Sequence, residues 1–284
     1  MLFLILSIIC SVAVGVIFKI TRNYNCSPIQ IITFNYVFAL LFSYLTFSPD
    51  LAEVSKNDPW NIYAAVGVLL PVVFVFLAAS IKHMGIVKTD AAQRLSLFIP
   101  ILAAWFIFKE EFNFYKVIGL VIGFLALLFI LRKPSENKQN KWIYPAIVLF
   151  GFGVIDILFK QIALYSTLPY TTSLFLVFNI ALVVSLFIMI YDAVSKKVKP
   201  ELKNILFGGL VGLFNFGNIL FYLKAHQSFS ENPSTVFAGM NMGVIVLGSL
   251  VGVLFFKEKL SKINFLGIIL AVFSIVFIVY SQIR

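Results

Sequence analysis

Charged side chains are scarce in this chain. Asp, Glu, Lys and Arg together make up 12% of its 284 residues, which is about half their share in an average soluble domain. Hydrophobic residues make up 61%, with 32 Phe among them, and the mean hydropathy is +1.01. A water-soluble core of this size could not bury so much apolar surface, whereas a lipid bilayer accepts it. The composition therefore excludes a soluble globular protein and predicts an integral membrane protein.

Metal ligands and catalytic motifs are also lacking. The sequence has only two cysteines, Cys10 and Cys26, and two histidines, His83 and His226, and their spacing matches no metal site or CxxC motif. HExxH, GxSxG, Walker and GxGD motifs do not occur in the sequence. We therefore expect a protein that is not an enzyme and that uses no metal and no cofactor.

Basic residues outnumber acidic ones by 22 to 12. In a soluble protein this excess would suggest binding to nucleic acid. Here most of the basic residues lie in short loops between apolar runs, where they act as signals of membrane topology. We expect membrane lipid and a small-molecule substrate as partners, and no nucleic acid.

The chain divides into ten apolar runs. A helix needs about 20 apolar residues to cross the hydrocarbon core, and charged residues, Pro and Gly separate runs of this length. The predicted fold class is an all-α integral membrane protein with ten transmembrane helices. The predicted spans are 2–20, 29–47, 61–82, 90–108, 115–132, 142–164, 170–192, 205–224, 234–256 and 263–281.

A short motif occurs once in each half of the sequence. Phe-Lys-Glu ends the fourth run at residues 108–110 and the ninth at residues 256–258, and a glycine follows each at the same interval, at Gly119 and Gly267. Such self-similarity indicates an internal repeat. The other matching pairs are Phe18-Lys19 with Phe159-Lys160 and Phe34-Asn35 with Phe178-Asn179.

The repeat predicts how the two halves are oriented. Each half holds five spans, and an odd number forces the second half to enter the membrane inverted relative to the first. We predict a first five-helix repeat at 1–133, a basic linker at 134–141 and a second five-helix repeat at 142–284. Two inverted five-helix repeats place a site near the membrane midplane, where opening to alternate sides gives a carrier.

The duplicated module resembles the EamA-like family of the drug/metabolite transporter superfamily. Pro100, ten residues before Glu110, also fits that family, whereas Gly248 stands where the second half would have the equivalent proline. The resemblance covers nearly the whole chain. It implies a secondary transporter that moves a small metabolite, such as an amino acid-like compound, a sugar or nucleotide derivative, or a drug-like compound. The alternatives are a lipid-carrier flippase on the same fold and a membrane scaffold that transports nothing.

Two charged residues inside the predicted spans need an explanation, because an ionisable side chain is costly in lipid. Asp156 is the only acid deep within a span, and it lies four residues before Lys160, so the two could form an ion pair on one helix face. Alternatively, Asp156 lines a cavity, where it contacts a cationic substrate or carries a coupling proton. Arg94, in the fourth span, could face an aqueous vestibule and bind a carboxylate or phosphate.

Several amides and glycines also lie inside the spans. Buried amides must hydrogen-bond, either in interhelical packing or in a shared cavity, and their occurrence in both halves favours a cavity. The amide candidates are Asn35, Asn179, Asn215, Asn218 and Asn241. Glycines four residues apart predict close packing of helices. These pairs are Gly119 with Gly123, Gly208 with Gly212, Gly239 with Gly243, and Gly248 with Gly252.

The membrane orientation is predicted in two ways that disagree. Most Lys and Arg lie in the odd-numbered loops, which the positive-inside rule places in the cytoplasm, so both termini would lie outside. The family resemblance implies termini inside. A reporter that is active only in the cytoplasm, fused after Arg284, distinguishes the two orientations, and we follow the charge distribution. Short loops without an organellar targeting segment favour the bacterial inner (cytoplasmic) membrane, with the protein as a monomer or homodimer.

Overall fold

The computed structural model contains nine α-helices and no strands in the residues that it describes. The described residues are 1–21, 24–84, 89, 92–93, 95–96, 98–100, 103, 112–131, 141, 143–228, 233–256 and 261–281. The helices are α1 (Leu2–Thr21), α2 (Pro28–Phe47), α3 (Trp60–Met84), α4 (Phe114–Leu131), α5 (Ile143–Tyr165), α6 (Tyr170–Lys196), α7 (Leu202–Ser228), α8 (Pro233–Phe256) and α9 (Lys262–Tyr280).

Seven of the described helices are long and apolar enough to cross a membrane, and α4 and α9 contain shorter apolar stretches. The protein is therefore a multi-pass membrane protein. Nine of the predicted spans correspond to these helices within a few residues. The fourth predicted span, 90–108, lies mostly outside the described residues.

Helices α6 and α7 extend beyond the predicted spans. α6 continues to Lys196, and α7 begins at Leu202. The predicted spans were ended at charged residues. Charged side chains at a membrane interface can reach water, however, while the helix itself continues. At the start of α7, exposed Lys203 pairs with Glu201 at 2.6 Å.

Local sequence signals set the ends of α2. Ser27 adopts an extended conformation, and its hydroxyl oxygen accepts a hydrogen bond from the backbone N–H of Gln30 at 3.5 Å. Pro28 then occupies the first turn, where its missing N–H costs nothing. At the other end, Ser48 takes a left-handed conformation, with φ 43°, and its N–H bonds to the carbonyl of Tyr44. The short polar segments on both sides therefore fix the length of this helix.

Helix α7 packs against both α1 and α2, and glycines allow the close contact with α2. A Cβ at Gly212 would lie 2.7 Å from Cβ of Phe38 and 2.9 Å from the carbonyl oxygen of Asn35. Gly208, one turn earlier in α7, likewise faces the backbone of α2. The predicted packing role of this glycine pair is confirmed.

The other predicted glycine pairs behave differently from one another. Gly239 and Gly243 of α8 face Leu4 and Ile8 of α1, as the packing prediction requires. Among the residues that the structure describes, a Cβ at Gly248 would meet nothing within 4 Å, so close packing at Gly248 is not observed there.

The largest buried cluster joins α2, α3, α5 and α6. Its fully buried members include Tyr36 of α2, Tyr63 of α3, Ile155 of α5 and Val177 of α6. Helix α3 contacts both α5 and α6, and α4 packs along α9. Contacts between helices from the two halves of the chain therefore hold the bundle together.

Two sets of hydrogen bonds lie at opposite ends of the bundle. At the odd-loop face, the end where α2 and α7 begin, Asn204 Nδ2 donates to Gln30 Oε1 at 2.7 Å, and Gln30 Nε2 donates to the carbonyl of Lys199 at 3.0 Å. We call this set the odd-face latch.

At the even-loop face, the end where α3 and α6 begin, Thr167 Oγ1 donates to Asp58 Oδ1 at 2.9 Å. The Tyr63 hydroxyl lies 2.7 Å from Ser166 Oγ and 3.2 Å from Ser173 Oγ. We call this set the even-face latch. Asp58 and Ser173 are buried although they lie at the end of the bundle, whereas Thr167 is exposed.

Candidate functional site

The carboxylate of Asp156 points toward the inside of the bundle. Asp156 lies near the middle of α5 and shares a helix face with Phe152 and Phe159, which pack on the central cluster. Exposed Phe150 and Val154 lie on the other side of the helix, which is the side expected to meet lipid. Asp156 itself is only half-buried. An acid on the inward face that keeps part of its surface accessible is placed to line an internal cavity.

Lys160 lies one helical turn after Asp156 on α5 and has an interaction partner. An ion pair between the two therefore stays one alternative for Asp156, beside a role in lining a cavity.

Two tyrosines from neighbouring helices approach this carboxylate. Tyr170, the first residue of α6, and Tyr222, near the end of α7, both lie within electrostatic interaction distance of Asp156 and of each other. The ring of Phe159 lies 6.4 Å from the ring of Tyr170. Electrostatic interactions thus relate Asp156 of α5 to one tyrosine of α6 and one of α7. We call Asp156, Phe159, Tyr170 and Tyr222 the carboxylate pocket.

Three of the predicted amides form interhelical hydrogen bonds. Asn215 Nδ2 of α7 donates to Asn35 Oδ1 of α2 at 3.1 Å, and Asn35 is buried. Asn218 Oδ1 accepts a hydrogen bond from the hydroxyl of buried Ser7 in α1 at 2.6 Å. These contacts match the packing alternative, since they tie α7 to α1 and α2. Asn215, Asn218 and Tyr222 nevertheless share one face of α7, so this polar row leads to the carboxylate pocket.

Asn179 lies in a different environment from its repeat counterpart Asn35. It is exposed, and its Nδ2 donates to the carbonyl of Phe175 in its own helix at 2.8 Å. The exposed side chains of Val183 and Phe187 continue the same helix face. The structure therefore does not bring Asn179 together with Asn35 in one buried group.

Among the residues that the structure describes, open space borders one half-buried glycine. Asn241 of α8 is half-buried and has a partner, and Gly248 lies two turns further along the same face. A Cβ at Gly248 would meet no described atom within 4 Å, which is consistent with an internal cavity. Gly15 of α1 also has open space beside it, but this residue is exposed. Arg94, the remaining predicted candidate, lies outside the described residues.

Sequence reasoning missed Tyr170, Tyr222, Ser7 and Gly15. Two signals pointed to some of them. Tyr222 follows Asn218 by four residues, and Gly15 precedes Asp156 by 141 residues, the same interval that separates Phe18 from Phe159. No comparable pattern marks Tyr170 or Ser7.

Acidic and sulfur ligands for a metal are not grouped in the described structure. The residues that it covers include no cluster of three or more His, Cys, Asp or Glu side chains that could hold a metal ion. The carboxylate pocket offers one carboxylate and several aromatic rings instead. Its chemistry suits binding by charge and by ring faces.

The helical bundle and its polar interior define a multi-pass membrane protein, and comparison with known families identifies its class. The model of the EamA-like transporter family matches residues 1–132 and 140–280. The chain belongs to this family and is a membrane transporter of the EamA type, which confirms the resemblance noted from the repeated motif.

Individual relatives cover almost the whole chain. An uncharacterized protein from Haemophilus influenzae is 45% identical over 98% of this chain and 97% of its own length. Two proteins named S-adenosylmethionine uptake transporter, from Rickettsia bellii and Rickettsia prowazekii, are 20% and 23% identical, each over 86% of this chain and 82% of its own length. A crystal structure with 13% sequence identity superposes with a TM-score of 0.68 over 97% of this chain and 94% of that one, which supports the same fold.

Proposed function

We propose that the protein is a secondary transporter that moves a small metabolite across the membrane by alternating access. The observation that carries this proposal is the position of Asp156, an inward-facing and partly accessible acid near the middle of α5 that interacts electrostatically with Tyr170 and Tyr222. An intramembrane acid of this kind typically marks a substrate or ion pathway. The proposal assigns no catalytic residue, metal or cofactor.

Two inverted five-helix repeats, at 1–133 and 142–284, are part of this proposal. The helix contacts support it. Each helix has a counterpart five predicted spans away in the other half, so that α1 corresponds to α5, α2 to α6, α3 to α7 and α4 to α9. When every helix is exchanged with its counterpart, the α2–α7 contact becomes the α6–α3 contact, and the α1–α7 contact becomes the α5–α3 contact. The α4–α9 and α2–α6 contacts each convert into themselves. Related repeats around a common axis are expected to give such exchanges.

The relatives support a small metabolite as the substrate. Two distant relatives carry the name S-adenosylmethionine uptake transporter, so S-adenosylmethionine is the first compound to test. The amide row of Asn215 and Asn218 and the open space at Gly248 are proposed to line the same path. Asn35, Asn179, Asn241 and Arg94 stay candidates for its wall.

Asp156 is also the proposed proton-coupling residue. A single carboxyl group that alternates between protonated and charged forms can exchange a proton for a substrate. The titratable groups around it are Lys160 on its own helix, Tyr170 on α6 and Tyr222 on α7. We place the protein in the cytoplasmic membrane, with the odd-loop face toward the cytoplasm.

Thermal unfolding of the purified protein in detergent tests the proposal. The panel is S-adenosylmethionine, amino acids, nucleosides, sugar phosphates and lipid phosphates. A compound at 100 times its dissociation constant should add about 2.7 kcal/mol to the free energy of unfolding if it binds only the folded state. We expect at least one soluble metabolite to raise the melting temperature.

The outcome separates the proposal from its rivals. Stabilisation by lipid phosphates alone would replace metabolite transport with the flippase alternative. Stabilisation by no compound would contradict the transport proposal and favour a scaffold. Asp50→Asn, a change in an exposed loop where the carboxylate accepts a bond from Ala52, is the control for the Asp156→Asn protein and should respond like wild type.

A further inference from the structure

We propose that helix α2 lines the aqueous transport path of an open state through the side-chain hydroxyls of Tyr36 and Ser43. This inference rests on the proposed transport function and adds two path residues to it. It is argued from the burial of these hydroxyls, from their hydrogen bonding and from their position on one helix face.

Both hydroxyls are buried without a hydrogen-bond partner. Tyr36 is 1% exposed and Ser43 is fully buried, and within the described part of the chain neither hydroxyl meets a donor or an acceptor. A hydroxyl buried in this way loses its hydration and receives nothing in exchange. The bilayer core supplies no water to compensate it. Such groups are rare in native proteins, so each indicates a role that the observed packing does not use.

Other buried hydroxyls nearby do have partners. Thr33, which is fully buried one turn before Tyr36, donates to the carbonyl of Ser185 on α6 at 3.1 Å. The hydroxyl of Tyr63, also fully buried, lies 2.7 Å from Ser166 Oγ. The bundle therefore satisfies hydroxyls of comparable burial, which makes the two unpaired ones exceptions among the described residues.

Tyr36 and Ser43 occupy one face of α2. They are seven residues apart, which is two helical turns, and buried Ala39 lies between them. Tyr36 lies near the middle of the span, and its ring lies 6.3 Å from that of Phe178 on α6. Ser43 lies one turn before the helix ends at Phe47, on the even-loop side. The two hydroxyls therefore form a row from the centre of the bundle toward the even-loop face.

A phenylalanine at position 36 would fill the same space without a polar group. Tyr36 belongs to the largest buried cluster, with Ile32, Val66 and Val177 among its members, and a ring alone is enough for such packing. Separation of α2 from α6 at this cluster would let water and the polar groups of a transported molecule reach the row. Because a hydroxyl both donates and accepts, it would then form the hydrogen bonds that the closed packing lacks.

Cysteine labelling tests whether water reaches the row. Ser43→Cys and the control Ser274→Cys are made in the full-length protein with Cys10 and Cys26 changed to serine, and both are treated with a water-soluble maleimide in lipid nanodiscs. Ser274 is fully buried like Ser43, but its hydroxyl donates to the carbonyl of Gly119 at 2.7 Å, between α9 and α4. The thiolate is the reactive form, and apolar burial suppresses it. We expect Ser43→Cys to be labelled at least about tenfold faster than Ser274→Cys.

Tyrosine-to-phenylalanine variants test the hydroxyl of Tyr36. In thermal unfolding, Tyr36→Phe should melt at or above the wild-type temperature, because the removed hydroxyl bonds nothing in the closed packing. Tyr63→Phe should melt lower, because it loses its contacts with Ser166 and Ser173. In proteoliposomes, Tyr36→Phe should take up the panel compound that stabilises the protein most about twofold to tenfold more slowly than wild type. Tyr44→Phe, a change at an exposed residue of the same helix, should match wild type in both measurements.

Each result decides a separate point. Labelling of Ser43→Cys no faster than that of Ser274→Cys would overturn the path along α2. A lower melting temperature of Tyr36→Phe would show that its hydroxyl has a structural partner, and wild-type uptake by this variant would show that transport does not use it. Either result would overturn the inference, and uptake by the wild-type protein would still leave the transport function standing. Absence of uptake by wild type would overturn the transport function and the path with it. If Ser43→Cys elutes as an aggregate, Tyr36→Phe still decides.

Discussion

Single glycines determine how closely the helices of this bundle approach one another. Gly212 lets α7 lie against the backbone of α2 at Phe38, whereas open space borders Gly248 of α8. The two positions are both inside apolar helices, and sequence spacing treats them alike. Their different surroundings give a matched pair for measuring what close approach contributes to stability.

We expect Gly212→Leu to destabilise the protein and Gly248→Ala to leave it nearly unchanged. A larger side chain at Gly212 would overlap Cβ of Phe38 and the carbonyl of Asn35, and overpacking of this kind costs about 1–3 kcal/mol. A Cβ at Gly248 would meet nothing within 4 Å. Thermal unfolding in detergent measures both changes. Equal melting temperatures for the two variants would contradict the packing of α7 on α2.

The same Phe-Asn motif lies in different environments in the two halves of the chain, as Asn35 and Asn179 show. Both follow Phe at matching places in the two halves, yet Asn35 is buried against Asn215 and Asn179 is exposed. A sequence motif fixes neither the rotation of a helix nor its neighbour. The polar character of these positions was predictable, whereas their partners depended on the packing of distant segments.

Helices were the most predictable level of the structure. The bilayer requires about 20 apolar residues in each span, so apolar runs separated by charged residues, Pro and Gly located the nine described helices. The ends of α6 and α7 were less predictable, because interfacial Lys and Glu side chains can extend a helix into water. Of the carboxylate pocket, the sequence marked Asp156 and Phe159 directly and Tyr222 through its spacing from Asn218, whereas nothing in the sequence marked Tyr170.

The two latches join helix starts that are exchanged by the proposed repeat. The odd-face latch joins the start of α2 to the start of α7, through Gln30 and Asn204. The even-face latch joins the start of α6 to the start of α3, through Thr167 and Asp58. Alternating access requires the helix ends at one face to separate while those at the other stay together. We therefore treat the latches as the contacts that break in turn.

A cysteine probe can measure the opening of the even-loop face. Thr172, which is buried beside the even-face latch, is replaced by cysteine in a protein whose own Cys10 and Cys26 are changed to serine. We expect slow labelling by a water-soluble maleimide. Asp58→Asn, which weakens the bond with Thr167, should speed labelling several-fold.

The matched control weakens the opposite face. Gln30→Leu removes the side-chain bonds to Asn204 and Lys199. In an alternating mechanism this change favours opening at the odd-loop face, so labelling of Thr172→Cys should slow or stay the same. Faster labelling in both variants would indicate general loosening of the bundle and would contradict reciprocal gating.

At the scale of the whole molecule, the two termini and the charged loops divide between opposite faces. Asn113, just before α4, donates a hydrogen bond to the carbonyl of Ser281 at the end of the chain, and Lys224 lies over the ring of Phe3 at the start. Both termini thus lie at the even-loop face. The odd-loop face lies at the other end of the bundle, where Lys197, Lys199 and Lys203 are among the basic residues that the structure describes.

The central claim is that Asp156 lies on a path through the membrane, and uptake by reconstituted protein tests it most directly. Proteoliposomes with an imposed pH gradient are given, in radiolabelled form, the compound that stabilises the purified protein most. We predict uptake above that of protein-free liposomes for wild type and for Asp50→Asn, and none for Asp156→Asn. Uptake by Asp156→Asn equal to that of wild type, or no uptake by the wild-type protein, would contradict the account.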